Sequence, residues 1–105
     1  MIPAKTIELS GGVTATLTEL DVRDGLAVLE ALEASGGGLD ELIFVETEQL
    51  IALLPDKIKI EAQPACLTYS DLDAVAVAFV EVNKSFLART LKRQSRKAPD
   101  AQATL

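Results

Sequence analysis

Leu72, Val75, Phe79, Val82 and Phe86 step by three, four, three and four positions, which puts all five on one face of an α-helix. This stripe is the expected core face of a long C-terminal helix. Val77, Val80, Leu87 and Leu91 form a second stripe, roughly 145° around the same helix, which Asp73 and Lys84 interrupt. Ala74, Ala76 and Ala78 fill much of what remains. A helix apolar nearly all round its first half is normally buried between other elements. The rest of the chain therefore has to cover it, or leave part of one face to a partner helix or to self-association.

The ends of this helix set a second constraint. Ser70-Asp71-Leu72-Asp73 has the spacing of a capping box with Asp in place of Glu, and predicts the start. A helix running on from Asp71 to Lys97 would measure ~40 Å. A compact domain of this size has a radius of gyration of only ~13 Å. The basic end is therefore expected to project, fray or rest on a partner, with the helix spanning about 71–95. Residues 98–105, with Pro99 as a breaker, are expected to be a disordered tail.

The covering elements are legible upstream. Lys5-Thr6-Ile7-Glu8-Leu9 and Val13-Thr14-Ala15-Thr16-Leu17 alternate with period two around Ser10-Gly11-Gly12, which predicts a β-hairpin over 5–17. Its apolar face holds Ile7, Leu9, Val13, Ala15 and Leu17. A lone hairpin is marginal in water, so that face should lie on helices. Thr18-Glu19-Leu20-Asp21 reads as a capping box for a helix over about 20–35, with Val22, Leu26, Leu29 and Leu32 or Glu33 at helical spacing. Gly25 inside it costs about 1 kcal/mol relative to Ala and is expected to allow close packing against the hairpin. Gly36-Gly37-Gly38 ends it in a turn. A further helix is expected over about 40–54, with Thr47 as N-cap for Glu48 to Leu54 and Pro55 as its stop. Lys57-Ile58-Lys59-Ile60-Glu61 is either a strand or an extended connector anchored by its two Ile residues. The expected fold is α+β: one mainly helical domain over 1–97, with an N-terminal hairpin packed on three or four helices.

Composition then excludes most chemistry. The chain has 105 residues, 49% of them hydrophobic and 25% charged, which suits a single globular domain and not a disordered segment. It has no His, so neither a Ser-His-Asp arrangement nor the common zinc sites can be assembled. Cys66 is the only cysteine, and its neighbours Ala65 and Leu67 suit a small buried thiol. The pairs Asp40/Glu41, Glu46/Glu48 and Asp71/Asp73 stand with no nucleophile or phosphate-binding loop. The triple Gly lacks the Lys-Ser/Thr of a P-loop, and no calcium-loop spacing occurs. No enzyme activity, metal or cofactor is expected. No apolar run approaches the ~20 residues of a membrane span. Met1-Ile2-Pro3-Ala4-Lys5 lacks the apolar region of a signal peptide, so a cytoplasmic location is expected.

Charge is divided along the chain. Residues 1–83 hold four basic and fifteen acidic side chains, whereas 84–105 hold Lys84, Arg89, Lys92, Arg93, Arg96 and Lys97 against Asp100. A basic tail on an acidic body has three readings: a solvated helix end favoured by the helix dipole, a dock for an acidic protein, or a polyanion site. Nucleic acid is disfavoured, because no aromatic residue interleaves the cations and the acidic body repels DNA. The candidate protein-binding residues are accordingly Val77, Val80, Leu87 and Leu91 with Arg89, Lys92, Arg93 and Arg96.

Gly12-Val13-Thr14-Ala15-Thr16-Leu17-Thr18-Glu19-Leu20, followed by a helix, resembles the hairpin-to-helix junction of tail assembly chaperones from long-tailed bacteriophages. Leu67-Thr68-Tyr69-Ser70-Asp71-Leu72, continued by Ala78-Phe79-Val80-Glu81-Val82-Asn83-Lys84-Ser85-Phe86, resembles the closing helix of that group. The similarity covers about residues 5–90, and its motifs are capped, amphipathic structure. The resemblance implies a small cytoplasmic protein of an infected or lysogenic bacterium. Such proteins keep the apolar, helical tape measure protein soluble until tail tube subunits assemble around it, and are typically absent from the finished virion. It carries no catalytic residues over, and the basic tail has no counterpart in it. A structural tail-completion or head–tail joining protein is the alternative, and a small DNA-binding regulator using the basic helix is the third.

Overall fold

The computed structural model describes residues 3–61 and 66–92. Two five-residue strands, β1 (Ala4–Glu8) and β2 (Thr14–Thr18), pair antiparallel in the register Ile7↔Ala15 and Lys5↔Leu17. The hairpin turn runs over Leu9 to Val13. Gly11 and Gly12 have φ values of 68° and 77°, a region that strains any residue carrying a Cβ. The Leu9 amide closes the turn on the Val13 carbonyl at 2.6 Å.

A third strand, β3 (Ile58–Ile60), pairs antiparallel with β2 in the register Leu17↔Ile58 and Ala15↔Ile60. The alternation in Lys57–Glu61 is thus a strand and not a connector. The sheet order is β1-β2-β3, so β2 is central, and its Ala15 and Leu17 are fully buried. The fold is α+β, with this antiparallel sheet packed on helices.

Helix α1 (Val22–Ser35) starts one turn later than the capping-box spacing predicts. Thr18 still belongs to β2, and its amide donates to the Lys57 carbonyl at 2.9 Å. The N-cap is Asp21, whose carboxylate accepts from the Asp24 amide at 2.9 Å. Gly36 caps the other end in the left-handed conformation, donating to Leu32 at 3.0 Å. A wide π-helical segment (Glu41–Val45) then leads into α2 (Thr47–Leu53). Thr47 is not the predicted N-cap. Glu46, outside helical geometry at φ −105° and ψ 41°, occupies the cap position, and the buried Thr47 hydroxyl instead donates back to the Ile43 carbonyl at 2.6 Å.

Helix α3 (Tyr69–Val82) packs on β1, β2, α2 and the π-helical segment. Its capping box sits two residues before the predicted one. Thr68 Oγ1 accepts from the Asp71 amide at 3.1 Å, while Asp71 Oδ2 accepts from the Thr68 amide at 2.9 Å. The other carboxylate oxygen accepts from both the amide and the hydroxyl of Ser10, each at 2.9 Å. These bonds hold the Asp71 carboxyl down to about 2 from its ordinary 3.8, the Thr68 amide contributing most. Asp71 thus ties the start of α3 to the hairpin turn, a role open to it but not to Asp73.

Val75 and Phe79 are fully buried and Val82 nearly so, while Leu72 and Phe86 pack partly buried against the core. The predicted long helix is interrupted. Asn83 leaves helical geometry at φ −113° and ψ 34°, and residues 84–92 form a separate helical segment. Asn83 is fully buried. Its Oδ1 accepts from the Leu20 amide at 2.8 Å, and its Nδ2 donates to the Phe79 carbonyl at 3.1 Å. The break therefore fastens the end of α3 to the approach to α1.

Cys66 is exposed, contrary to the buried thiol expected from its neighbours. It precedes the Thr68 cap, and Leu67, not Cys66, packs against the core. The expected tail over 98–105 lies outside the described residues.

Candidate partner-binding groove

The site grows out of the two stripes of α1. The buried face is Gly25, Val28 and Leu32, not the predicted series from Val22. Val22, Leu26 and Leu29 lie roughly 90° around the helix. Val22 is 80% exposed and Leu26 54% exposed, with Leu29 half-buried. Both series have helical spacing, and the neighbours of α1 cover only one of them.

The segment 84–92 forms the opposite wall. Leaving Asn83 beside Leu20, it lays the Phe86 ring against α1 at Gly25. A Cβ on Gly25 would stand 3.0 Å from Phe86 Cε1. The close approach predicted at this glycine is therefore to Phe86, not to the hairpin. Thr90 turns its hydroxyl back to the Phe86 carbonyl at 2.9 Å, leaving no free donor to break the apolar floor.

The resulting groove has a volume of about 460 Å³. Val22, Gly25, Leu26, Leu29 and Phe86 line it, and Arg89 and Lys92 stand at its rim. It is not enclosed, and Val22 and Leu26 on its lining are more than half exposed, which suits the side chains of a helix or strand better than an enclosed small molecule. Among the described residues, neither Arg89 nor Lys92 makes an ion pair; the three bridges are Lys5–Glu81, Lys57–Asp21 and Lys57–Asp24. Beyond the lining residues, the exposed Glu30 and Glu33 continue the outward face of α1.

Only part of the predicted binding set gathers here. Arg89 and Lys92 do. Leu87 is buried and belongs to the core, because the break at Asn83 re-aims the residues behind it. Val80 packs partly buried against the same core. Val77 and Leu91 are about half exposed and line no part of this groove. Arg93 and Arg96 lie outside the described residues. The missed residues are Val22, Leu26 and Leu29, whose helical spacing reads equally well as a core stripe.

Elsewhere the polar groups serve structure. Asp71 is consumed by capping and by Ser10. The Asp21 carboxyl is held below its ordinary value, chiefly by the Asp24 amide, with Lys57 assisting. Among the described residues no three His, Cys, Asp or Glu side chains converge as a metal site would require. No helix among them is long and apolar enough to cross a membrane. No protein-family model, curated protein or solved structure matches the chain.

Proposed function

We propose that this chain is a non-catalytic chaperone for an apolar helix, and specifically a phage tail assembly chaperone whose client is the tape measure protein. The observation that carries the reading is the open groove, whose Val22 and Leu26 stay largely uncovered although α1 has a complete core face without them. Groove recognition of an amphipathic helix takes apolar anchors spaced by three or four, and Val22, Leu26 and Leu29 offer that spacing on the receiving side. The resemblance of residues 5–90 to tail assembly chaperones supplies the identity of the client. A net charge of −6 keeps a complex with an apolar client dispersed.

In this reading the chain works in the host cytoplasm without a cofactor, hands its client to tail tube subunits and leaves no copy in the virion. Co-expression with the tape measure protein encoded nearby, followed by size-exclusion light scattering, tests it. The client should be insoluble alone and should co-elute with this chain, and Leu26→Asp should abolish the complex. If the client stays insoluble and the chain elutes alone, a structural tail-completion or head–tail joining role replaces this one, and mass spectrometry of virions should then find the chain at stoichiometric levels.

A further inference from the structure

We propose that, in the absence of a client, a second copy of this chain occupies the groove, with the two α1 helices packed antiparallel about a two-fold axis. The inference rests on the groove alone and not on the identity of the client. Its basis is charge as well as apolarity. The 84–92 wall carries Arg89 and Lys92 without carboxylate partners among the described residues, and Glu30 and Glu33 lie exposed on α1 just beyond Leu29. A ligand that fits must present an apolar stripe with acidic groups toward the 84–92 wall. The outward face of α1 is such a ligand: Val22, Leu26 and Leu29, then Glu33 in line with them and Glu30 beside them.

Antiparallel pairing centred on Leu26 sets Val22 of one copy against Leu29 and Glu30 of the other. It also carries Glu33 of each copy toward the start of the opposite α1. Val22, at that start, lines the same groove as Arg89 and Lys92. Each copy thus supplies both the acidic and the basic member of the contact. That is the self-complementarity a two-fold interface requires. A client helix would bind by displacing the second copy, so dimer and client complex exclude one another.

Sedimentation equilibrium of the full chain, from micromolar to several hundred micromolar, reads the mass directly. A monomer–dimer equilibrium is expected. Leu26→Asp should yield a monomer with an unchanged circular dichroism spectrum, since Leu26 is 54% exposed and outside the core. Glu33→Arg should weaken the dimer at least tenfold, and so should Arg89→Glu with Lys92→Glu. Combining all three substitutions should restore it, which general loss of folding cannot imitate. A monomer at every concentration overturns the proposal and assigns the groove to another protein. A dimer that survives Leu26→Asp overturns it too, because the contact then lies elsewhere. Failure of the tape measure co-expression leaves these masses unaffected, so the two readings fail separately.

Discussion

Helices α1 and α3 have fourteen residues each, and each begins at a side-chain cap, Asp21 for the first and Thr68 for the second. Their surroundings differ. Six residues of α3 are buried, Asp71 among them, because the sheet, α2 and the π-helical segment press on it from several sides. Only Gly25, Val28 and Leu32 are buried in α1, and its second apolar stripe faces out. Equal local helix-forming signals thus serve two purposes. α3 carries the core, while α1 holds its shape from one face and offers the other. Surplus apolar surface on a small domain marks an interaction site more often than a packing fault.

Four measurements bear on this contrast. Phe79→Ala should cost the most, about 3–5 kcal/mol, because the ring is fully buried in the middle of α3 and its loss leaves a cavity. Chemical denaturation measures it, and a change under about 1 kcal/mol would remove α3 from the centre of the core.

Asn83→Leu should cost about 1–3 kcal/mol, since it strands the Leu20 amide that the carboxamide accepts from. It should also loosen the joint between the two helices. Hydrogen exchange should therefore accelerate in 84–92 more than in α3, and uniform acceleration would contradict a local joint.

Acid should act on α3 through Asp71. A carboxyl held at about 2 when folded and 3.8 otherwise contributes stability that is complete above about pH 4 and is lost as pH falls toward 2. The gap in melting temperature between the native chain and Asp71→Asn should therefore narrow across that interval. A gap that stays constant would place the cap elsewhere, for example at Ser70 and Asp73.

Leu26→Asp should have the smallest effect on folding, within about 0.5 kcal/mol, because its site is already in water. The same change at Val28, on the buried face of α1, should prevent stable folding. Thermal melts of the pair measure the difference between the two stripes directly.

Much of this architecture is legible in the order of residues. Alternation marks the hairpin and leaves β3 as one of two readings, and the 3-4 stepping around Phe79 locates the central helix and its core face. The groove is half legible, through the cations at 89 and 92. Its apolar floor is not, because Val22-Leu26-Leu29 and Gly25-Val28-Leu32 are both good helical stripes.

Residue order alone marks the hairpin and most of the helical segments, since periodicity and capping are settled by residues within one or two turns of each other. Packing across the molecule chooses between local signals of equal strength. Thr68-x-x-Asp71 and Ser70-x-x-Asp73 share one spacing, and Ser10, sixty-one residues from Asp71, selects the first. The stripe on 71–95 runs unbroken on paper, yet Asn83 finds the Leu20 amide sixty-three residues away and turns the chain there. That turn brings Phe86 onto Gly25 and leaves Val22 and Leu26 uncovered. Each choice depends on a hydrogen bond or contact between residues far apart in sequence, and no window along the chain contains both partners.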